Sequence, residues 1–349
     1  MGEIGVEPMT KEQPLRVLFS FGPSAQDANP YVDLLVRSVS GHAKVKYFSW
    51  KFALLGSYDV FHLHWPEALI RRRSLLRRFI NQALALLLIL RLALFRIPIV
   101  RTEHNVRPHE KGDCAENAVL DLLDRRTAAW IVMNEVPTGH PQHKVTLIVH
   151  GHYRDCYRLP ASVSKKPGKV LNFGLIRPYK GVEDLVAAFK ALPESTGLTL
   201  SIMGKPVSAG IADSLLEEIG SSMKVAADLR HIPDDELALS VAESELVVLP
   251  YQSMHNSGVL LLALSLGTPV LVPKNEITDA LAREVGERWV QRFEGRVTPD
   301  AILAGSEAVR GLVGSPDLAA RNWTTIGGKH FEVYLGVTSR ARTGLLPKS

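Results

Sequence analysis

Short continuous apolar runs recur along the chain, separated by longer amphipathic stretches, and the alternation predicts strands and helices in turn. Strands are expected at 15–21, 58–63, 97–102, 128–133, 145–149, from Val170, at 198–203, 246–249 and 270–272, with a shorter candidate within 224–232. Helices are expected at 31–39, 182–192, from Ser257 and over about 319–334. The clearest unit is 245–273, ELVVLPYQSMHNSGVLLLALSLGTPVLVP. It reads as strand, polar loop, Leu/Ala-rich helix, a Gly267-Thr268-Pro269 stop and a second strand, which is one βαβ unit. Repetition of such units gives an α/β protein with Rossmann-like, doubly wound parallel sheets. With 349 residues the chain exceeds one ordinary core and fits two. The Pro-, Ser- and Lys-rich stretch 158–168 marks a linker, between an N-terminal domain at 1–157 and a C-terminal domain at 169–325, followed by a tail at 326–349.

Loops after strand carboxyl ends face the ligand crevice of such sheets, so their polar residues are the candidate chemistry. After the 246–249 strand come Tyr251, Gln252, His255, Asn256 and Ser257, with Gly258 letting the backbone approach a ligand. The first N–H groups of a helix are unpaired and sit at the positive end of its dipole, so Ser257-Gly258 suits a diphosphate. A bare serine N-cap has the same appearance. The loop after the Val170 strand, with Gly174, Arg177 and Lys180, shifts that balance. Arg offers a planar fork and Lys a point charge, a pair fitted to a diphosphate and its leaving-group charge. Gly204, after the next strand, is expected to approach the same ligand, and 231–233 is a candidate base contact.

In the first domain, Asn29 and Tyr31 follow the first strand, although Asn29-Pro30 is also a good helix start. The 58–63 strand delivers His62, His64, Trp65 and Glu67; the next ends in EHNVRPHEKGD, with Glu103, His104, Asn105 and Glu110. Aromatic rings stack on sugar faces and carboxylates bond hydroxyls. Glu67 is therefore the first candidate for a general base and Glu110 the second, with His104 and Asn105 orienting a substrate. An ordinary first-turn glutamate remains the alternative for Glu67. The loop at 150–153 adds His150 and Tyr153, although a turn on Gly151 explains itself.

The most unusual stretch is 69–96. Arg71, Arg72, Arg73, Arg77, Arg78, Arg91 and Arg96 stand in it without an acidic residue between 71 and 96. Its apolar run, 83–95, is shorter than the roughly 20 residues a spanning helix needs. A basic front half and an apolar back half suit a helix lying in an anionic membrane surface. A Rossmann-type helix whose apolar half lies under the sheet is the alternative.

The segments FGLIRPYKG and MHNSGVLLLALSLGTPVL resemble the donor half of GT-B glycosyltransferases, two Rossmann-like domains facing a central cleft. The large retaining family of that fold carries two glutamates eight positions apart around this helix. Here Met254 and Leu262 occupy those places. Together with HLHWPE and HGHYRD, these segments resemble the β-mannosyltransferases of xanthan-type exopolysaccharide assembly along nearly the whole chain. That resemblance implies transfer of mannose from GDP-mannose, with inversion, to a lipid-diphosphate-linked oligosaccharide, by a peripheral protein at the cytoplasmic face of the inner membrane. The loop positions read above assign donor binding to Gly174, Arg177, Lys180, Gly204, Tyr251, His255, Asn256, Ser257 and Gly258. Acceptor binding would fall to Asn29, Tyr31, His64, Trp65, Asn105, His150 and Tyr153, with the C-terminal helix packing back on the first domain.

Composition narrows the alternatives. Hydrophobic residues at 46% and charged residues at 22% describe a globular chain, and a net charge of +5 with pI near 9.1 suits anionic partners of several kinds. Two cysteines, Cys114 and Cys156, form neither a metal cluster nor a disulfide framework, so a reducing compartment is expected. The first 14 residues are polar and lack a signal-peptide core. The His62/His64 pair has no further ligand at zinc spacing, and 234–236 reads as a helix first turn, so no metal and no cofactor is expected. No G-x-G-x-x-G or P-loop is present, which disfavours a dinucleotide oxidoreductase. Basic residues interleaved with Leu and Ile disfavour nucleic acid. A catalytically silent nucleotide-sugar-binding or membrane-associated regulatory protein keeps the same donor loops and stands as the rival reading, as does a transferase for another nucleotide sugar.

Overall fold

The computed structural model describes residues 14–23, 30–72, 74–104, 113–135, 137, 139–160, 162–252, 254 and 256–343. These fall into two compact units: the described residues within 1–133, 138–148 and 323–349, and those within 134–137 and 149–322. The chain passes into the second unit at 148–149, upstream of the 158–168 stretch, whose described residues lie within that unit.

The first unit runs β1 (Arg16–Phe19), α1 (Pro30–Ser40), β2 (Lys44–Lys46), α2 (Trp50–Leu55), β3 (Val60–Leu63), α3 (Pro66–Ile70), α4 (Leu75–Leu94), β4 (Ile99–Glu103), α5 (Cys114–Arg126), β5 (Thr127–Val132) and β6 (Val145–Leu147). All its strand pairs are parallel, in the order β2-β1-β3-β4-β5-β6. The order reverses between β1 and β3, so the loops after these two strands flank the switch point where open α/β sheets take ligands. The core joins Leu18, Phe61, Leu63 and Ile99 of the sheet to Leu88, Ile89, Leu92 and Leu123 of the helices. Burying each such side chain contributes roughly 1.5–3 kcal/mol.

The second unit runs β7 (Lys166–Phe173), α6 (Val182–Lys190), β8 (Thr199–Met203), α7 (Ala209–Ile219), β9 (Val225–Asp228), α8 (Asp234–Glu243), β10 (Ser244–Val248), α9 (Gly258–Ser265), β11 (Val270–Pro273), α10 (Glu276–Val285), β12 (Val290–Phe293) and α11 (Pro299–Val309). Its sheet is also parallel, ordered β12-β11-β10-β7-β8-β9, and its switch point lies between β7 and β10. Those are the two strands whose following loops hold Arg177, Lys180 and Ser257. Helix α9 is apolar all round, and Leu260, Leu261, Leu262, Ala263 and Leu264 are all buried. A helix of that kind belongs inside a core, which holds its N-terminus rigidly at the sheet's carboxyl edge.

The chain then returns to the first unit as α12 (Trp323–Arg342), which packs on α1. A Cβ on Gly327 would stand 2.5 Å from the Ser38 carbonyl oxygen, so the two helices meet backbone to backbone. The buried His62 ring links β3 to its surroundings through Tyr334 Oη at 2.7 Å and Thr102 Oγ1 at 2.8 Å.

Three local expectations are corrected. The 69–96 stretch is two helices: Arg71 is extended at φ −64, ψ 128, and its Nε donates to the buried Glu116 at 2.7 Å, which turns the chain before α4. Strand β2, with two lysines in three residues, was invisible to an apolar-run criterion. His62, delivered by its strand among the candidate residues, is a fully buried network residue of the first unit.

Candidate functional site

In the second unit three loops are laced together at the carboxyl edge of the sheet. Gly174 N–H donates to Met203 O at 2.9 Å, Ile176 N–H to Lys205 O at 3.0 Å, and Gln252 N–H to Tyr179 O at 3.0 Å. Two glycines make the approach possible. Gly204 has φ +151, and a Cβ there would stand 2.1 Å from Gly174 O; Gly181 has φ +64, and a Cβ would stand 2.4 Å from Pro250 O. Gly204 thus supports the Gly174 loop directly, which is a packing role the sequence reading did not assign to it.

Lys180 lies in this seat, 8% exposed, its ammonium 5.1 Å from the centroid of the Tyr251 ring. Among the described residues it has no carboxylate partner. Burial, and then the neighbouring charge of Arg177, push its ammonium down to about 8. A buried, unneutralised ammonium beside a guanidinium is costly in the empty protein and favourable once an anion arrives. The Tyr251 hydroxyl is buried near Ser257 without reaching hydrogen-bond geometry, and burial raises it above its ordinary range. Ser257 caps α9, its Oγ accepting Leu260 N–H at 3.2 Å, while Asn256 Oδ1 accepts from Asn134 Nδ2 at 3.1 Å.

His150 and Tyr153 belong to this same unit and not to the first. Tyr153 N–H donates to Ser265 Oγ on α9 at 2.8 Å, and its hydroxyl would lie 3.0 Å from a Cβ on Gly258. His150 Nδ1 donates to Gly151 O at 2.8 Å, which leaves Nε2 to accept from Tyr153 Oη at 3.3 Å. Burial pushes His150 down to about 4, so the ring is neutral. Both residues stand at the first turn of α9. Met254 and Leu262, where the retaining family has glutamates, are both buried.

In the first unit a cavity of about 340 Å³ opens beside the ends of β3 and β4, lined by Trp65, Glu67, Arg101, Glu103, His104 and Asp121 among others. Trp65 stands at φ 42, ψ 63, a left-handed conformation costing an aromatic residue of order 1–3 kcal/mol. Its ring stacks on His104 with centroids 4.0 Å apart at 19°, and Tyr31 meets His104 edge-on at 5.4 Å. Tyr31 and His64 are buried, His64 Nδ1 lying 2.9 Å from His104 Nε2. Glu67 is half-buried in the first turn of α3. In the opposite wall Trp130 lies between His140, stacked at 3.6 Å, and Arg101, at 4.7 Å, which pairs with Asp124. Sequence reading missed this wall, although Arg101 and Glu103 share one face of the apolar β4. Asn29, Asn105, Glu110 and His255 lie outside the described residues.

No family model matches the chain. A GDP-mannose:glycolipid 4-beta-D-mannosyltransferase of Xanthomonas campestris pv. campestris is 40% identical over 326 residues, covering 92% of each chain. The fold is similar to that of Anabaena Alr3699/HepE in complex with UDP-glucose, with TM-score 0.61, 15% identity, and coverage of 95% of this chain and 99% of that one. It is also similar to WaaG, a glycosyltransferase involved in lipopolysaccharide biosynthesis, with TM-score 0.57, 14% identity, and coverage of 96% and 100%. Two parallel sheets of this topology, a cationic seat at the second sheet's switch point and identity at this level over nearly the full length lead to one assignment. The chain belongs to the GDP-mannose:glycolipid 4-β-D-mannosyltransferases, glycosyltransferases of the GT-B fold.

Proposed function

We propose that this chain transfers mannose from GDP-mannose to the sugar terminus of a lipid-diphosphate-linked oligosaccharide in exopolysaccharide assembly, by a single inverting displacement. The observation that carries the donor side is the buried Lys180, which lacks a carboxylate partner among the described residues, beside Arg177 and the capped start of α9. These groups supply positive charge where the diphosphate departs, so no divalent metal is needed to stabilise the leaving group. Donor contacts are assigned to Gly174, Arg177, Lys180, Tyr251, Asn256, Ser257 and Gly258, with His150 and Tyr153 joining that set by position. The base and sugar of the donor follow the 40% identical relative named for them.

The acceptor sugar is assigned to the first-unit cavity, with Trp65 as a ring platform and Glu67 as general base. The acceptor oxygen attacks the anomeric carbon while the bond from that carbon to the β-phosphate oxygen breaks. Its electron pair leaves with GDP, and the acceptor proton passes to Glu67. Buried Met254 and Leu262 leave no carboxylate at the positions a retaining relative uses, which favours inversion.

Helix α4 supports attachment to the cytoplasmic face of an anionic membrane. Among the described residues no helix is long and apolar enough to cross a membrane. Yet Leu75, Leu76, Phe79, Ile80, Leu86, Leu87, Leu90 and Leu94 are exposed at helical spacing, bordered by Arg72, Arg77 and Arg96. The test is transfer of labelled mannose from GDP-mannose to a lipid-linked oligosaccharide extract in the presence of a chelator, with the anomeric configuration of the product determined. A β-linked product is expected. Transfer from UDP-glucose but not GDP-mannose, or an α-linked product, would overturn the reading.

A further inference from the structure

The cavity in the first unit is lined by several groups able to accept a proton, Glu67, Glu103, His104 and Asp121 among them, and His104 is held from behind. His64 is clamped at its backbone: its N–H donates to Ser20 Oγ at 2.7 Å, and Ser20 Oγ donates to His64 O at 2.8 Å. Its ring is 2% exposed and packed among Phe19, Phe21, Tyr31 and His62. Its Nδ1 faces His104 Nε2 at 2.9 Å, while its own Nε2 is buried with no protein partner.

That asymmetry decides the tautomer. One of the two facing nitrogens must carry the shared proton. If His104 donated it, His64 would have its proton on Nε2, leaving an N–H buried against rings with no acceptor. If His64 donates, its Nε2 presents only a lone pair there, and an unsatisfied acceptor is the less costly of the two defects. Protonating both nitrogens of His64 is opposed by burial first, and then by neighbouring His62, His104 and His330.

Resting on the assignment of the acceptor to this cavity, we infer that His64 is a positioning residue. It donates Nδ1–H to His104 Nε2 and thereby fixes His104 in its Nδ1–H tautomer. The lone pair that would make His104 a base is occupied, so the acceptor proton goes to a carboxylate of the cavity, the role assigned above to Glu67. Stacking of Trp65 on the His104 ring holds the same orientation. His64 was expected from sequence to touch acceptor; its burial places it one layer behind the ring that does.

The test uses the full chain labelled with ¹⁵N-histidine, with long-range correlation spectra at pH 7 and assignment through His64 and His104 variants. Nδ1–H on both rings is expected; Nε2–H on His104 overturns the inference. Kinetics supply a second reading. His64→Phe keeps an aromatic ring but removes the donor, and should lower kcat about 10²-fold at an unchanged donor KM. His64→Asn returns a donor to the Nδ1 position and should restore most of the lost activity; equal losses in both variants overturn the positioning role. Glu67→Gln leaves the lock intact, and full turnover in that variant would overturn the acceptor-site assignment instead, whatever the tautomers.

Discussion

Lys180 carries the donor argument at the scale of single residues, and its electrostatics give a signed prediction. Its folded value, about 8, lies below the ordinary 10.5, so the charged form is disfavoured by folding. The unfolded chain binds the proton more tightly, and this group's contribution to stability rises with pH between about 8 and 10.5. At neutral pH the buried charge therefore costs the empty protein roughly 3 kcal/mol, taking about 1.36 kcal/mol per tenfold change in affinity. Lys180→Met should raise the melting temperature of the ligand-free protein by ~2 °C or more while weakening donor binding about 10²-fold. Both are read in one calorimetry series. In the native protein, donor affinity should fall above about pH 8 as the ammonium loses its proton, and in Lys180→Met that inflection should vanish. Gly258→Ala should likewise weaken donor binding, because its methyl would press on Tyr153 Oη at 3.0 Å beside the first turn of α9. An unaltered donor Kd in Gly258→Ala would show that Tyr153 yields without disturbing the seat.

Elements were legible in the sequence to the extent that their apolar runs were long. Strands β3, β5, β10 and β11 were readable as runs of mostly apolar residues, helix α6 by its amphipathic spacing and core helix α9 because it is apolar all round. Edge strand β2 was not, since an exposed edge tolerates lysines. The donor loops were legible because glycine, arginine, lysine and a serine cap have local meanings. The grouping of His150 and Tyr153 with α9 was not, because it depends on which sheet the chain joins after β6. Helix α4 was recognised by its arginines but joined to α3, because a turn stabilised by an Arg71–Glu116 contact across 45 residues leaves no local signal. Its exposed stripe has a direct test. Arg72→Gln with Arg77→Gln should reduce binding to anionic vesicles about 30-fold, at about 1 kcal/mol per cation. Leu87→Glu with Leu90→Glu should abolish vesicle binding with the fold retained, since these side chains are 53% and 54% exposed. Co-sedimentation that persists in the glutamate variant would remove α4 from the membrane assignment.

For the whole molecule, chain order and compact units do not coincide: the last helix, α12, completes the unit that the first strand begins. Truncation after Asn322 removes Tyr334 from His62 and uncovers α1, so the first unit should unfold and be digested by trypsin. A protease-resistant truncated protein would contradict that account. The second unit places its candidate groups at the switch point of its sheet, around Lys180 and Ser257, and the first places its cavity beside the ends of β3 and β4, around Trp65 and Glu67. The most direct test of the central claim is the melting temperature of the full chain with saturating GDP, UDP or ADP in the presence of a chelator. At a hundredfold excess over Kd a nucleotide that binds the native state adds about 2.7 kcal/mol. The account predicts a rise with GDP alone, lost when Arg177 and Lys180 are both replaced by Ala. An equal rise with UDP or ADP, or a GDP effect that survives the double replacement, would contradict it.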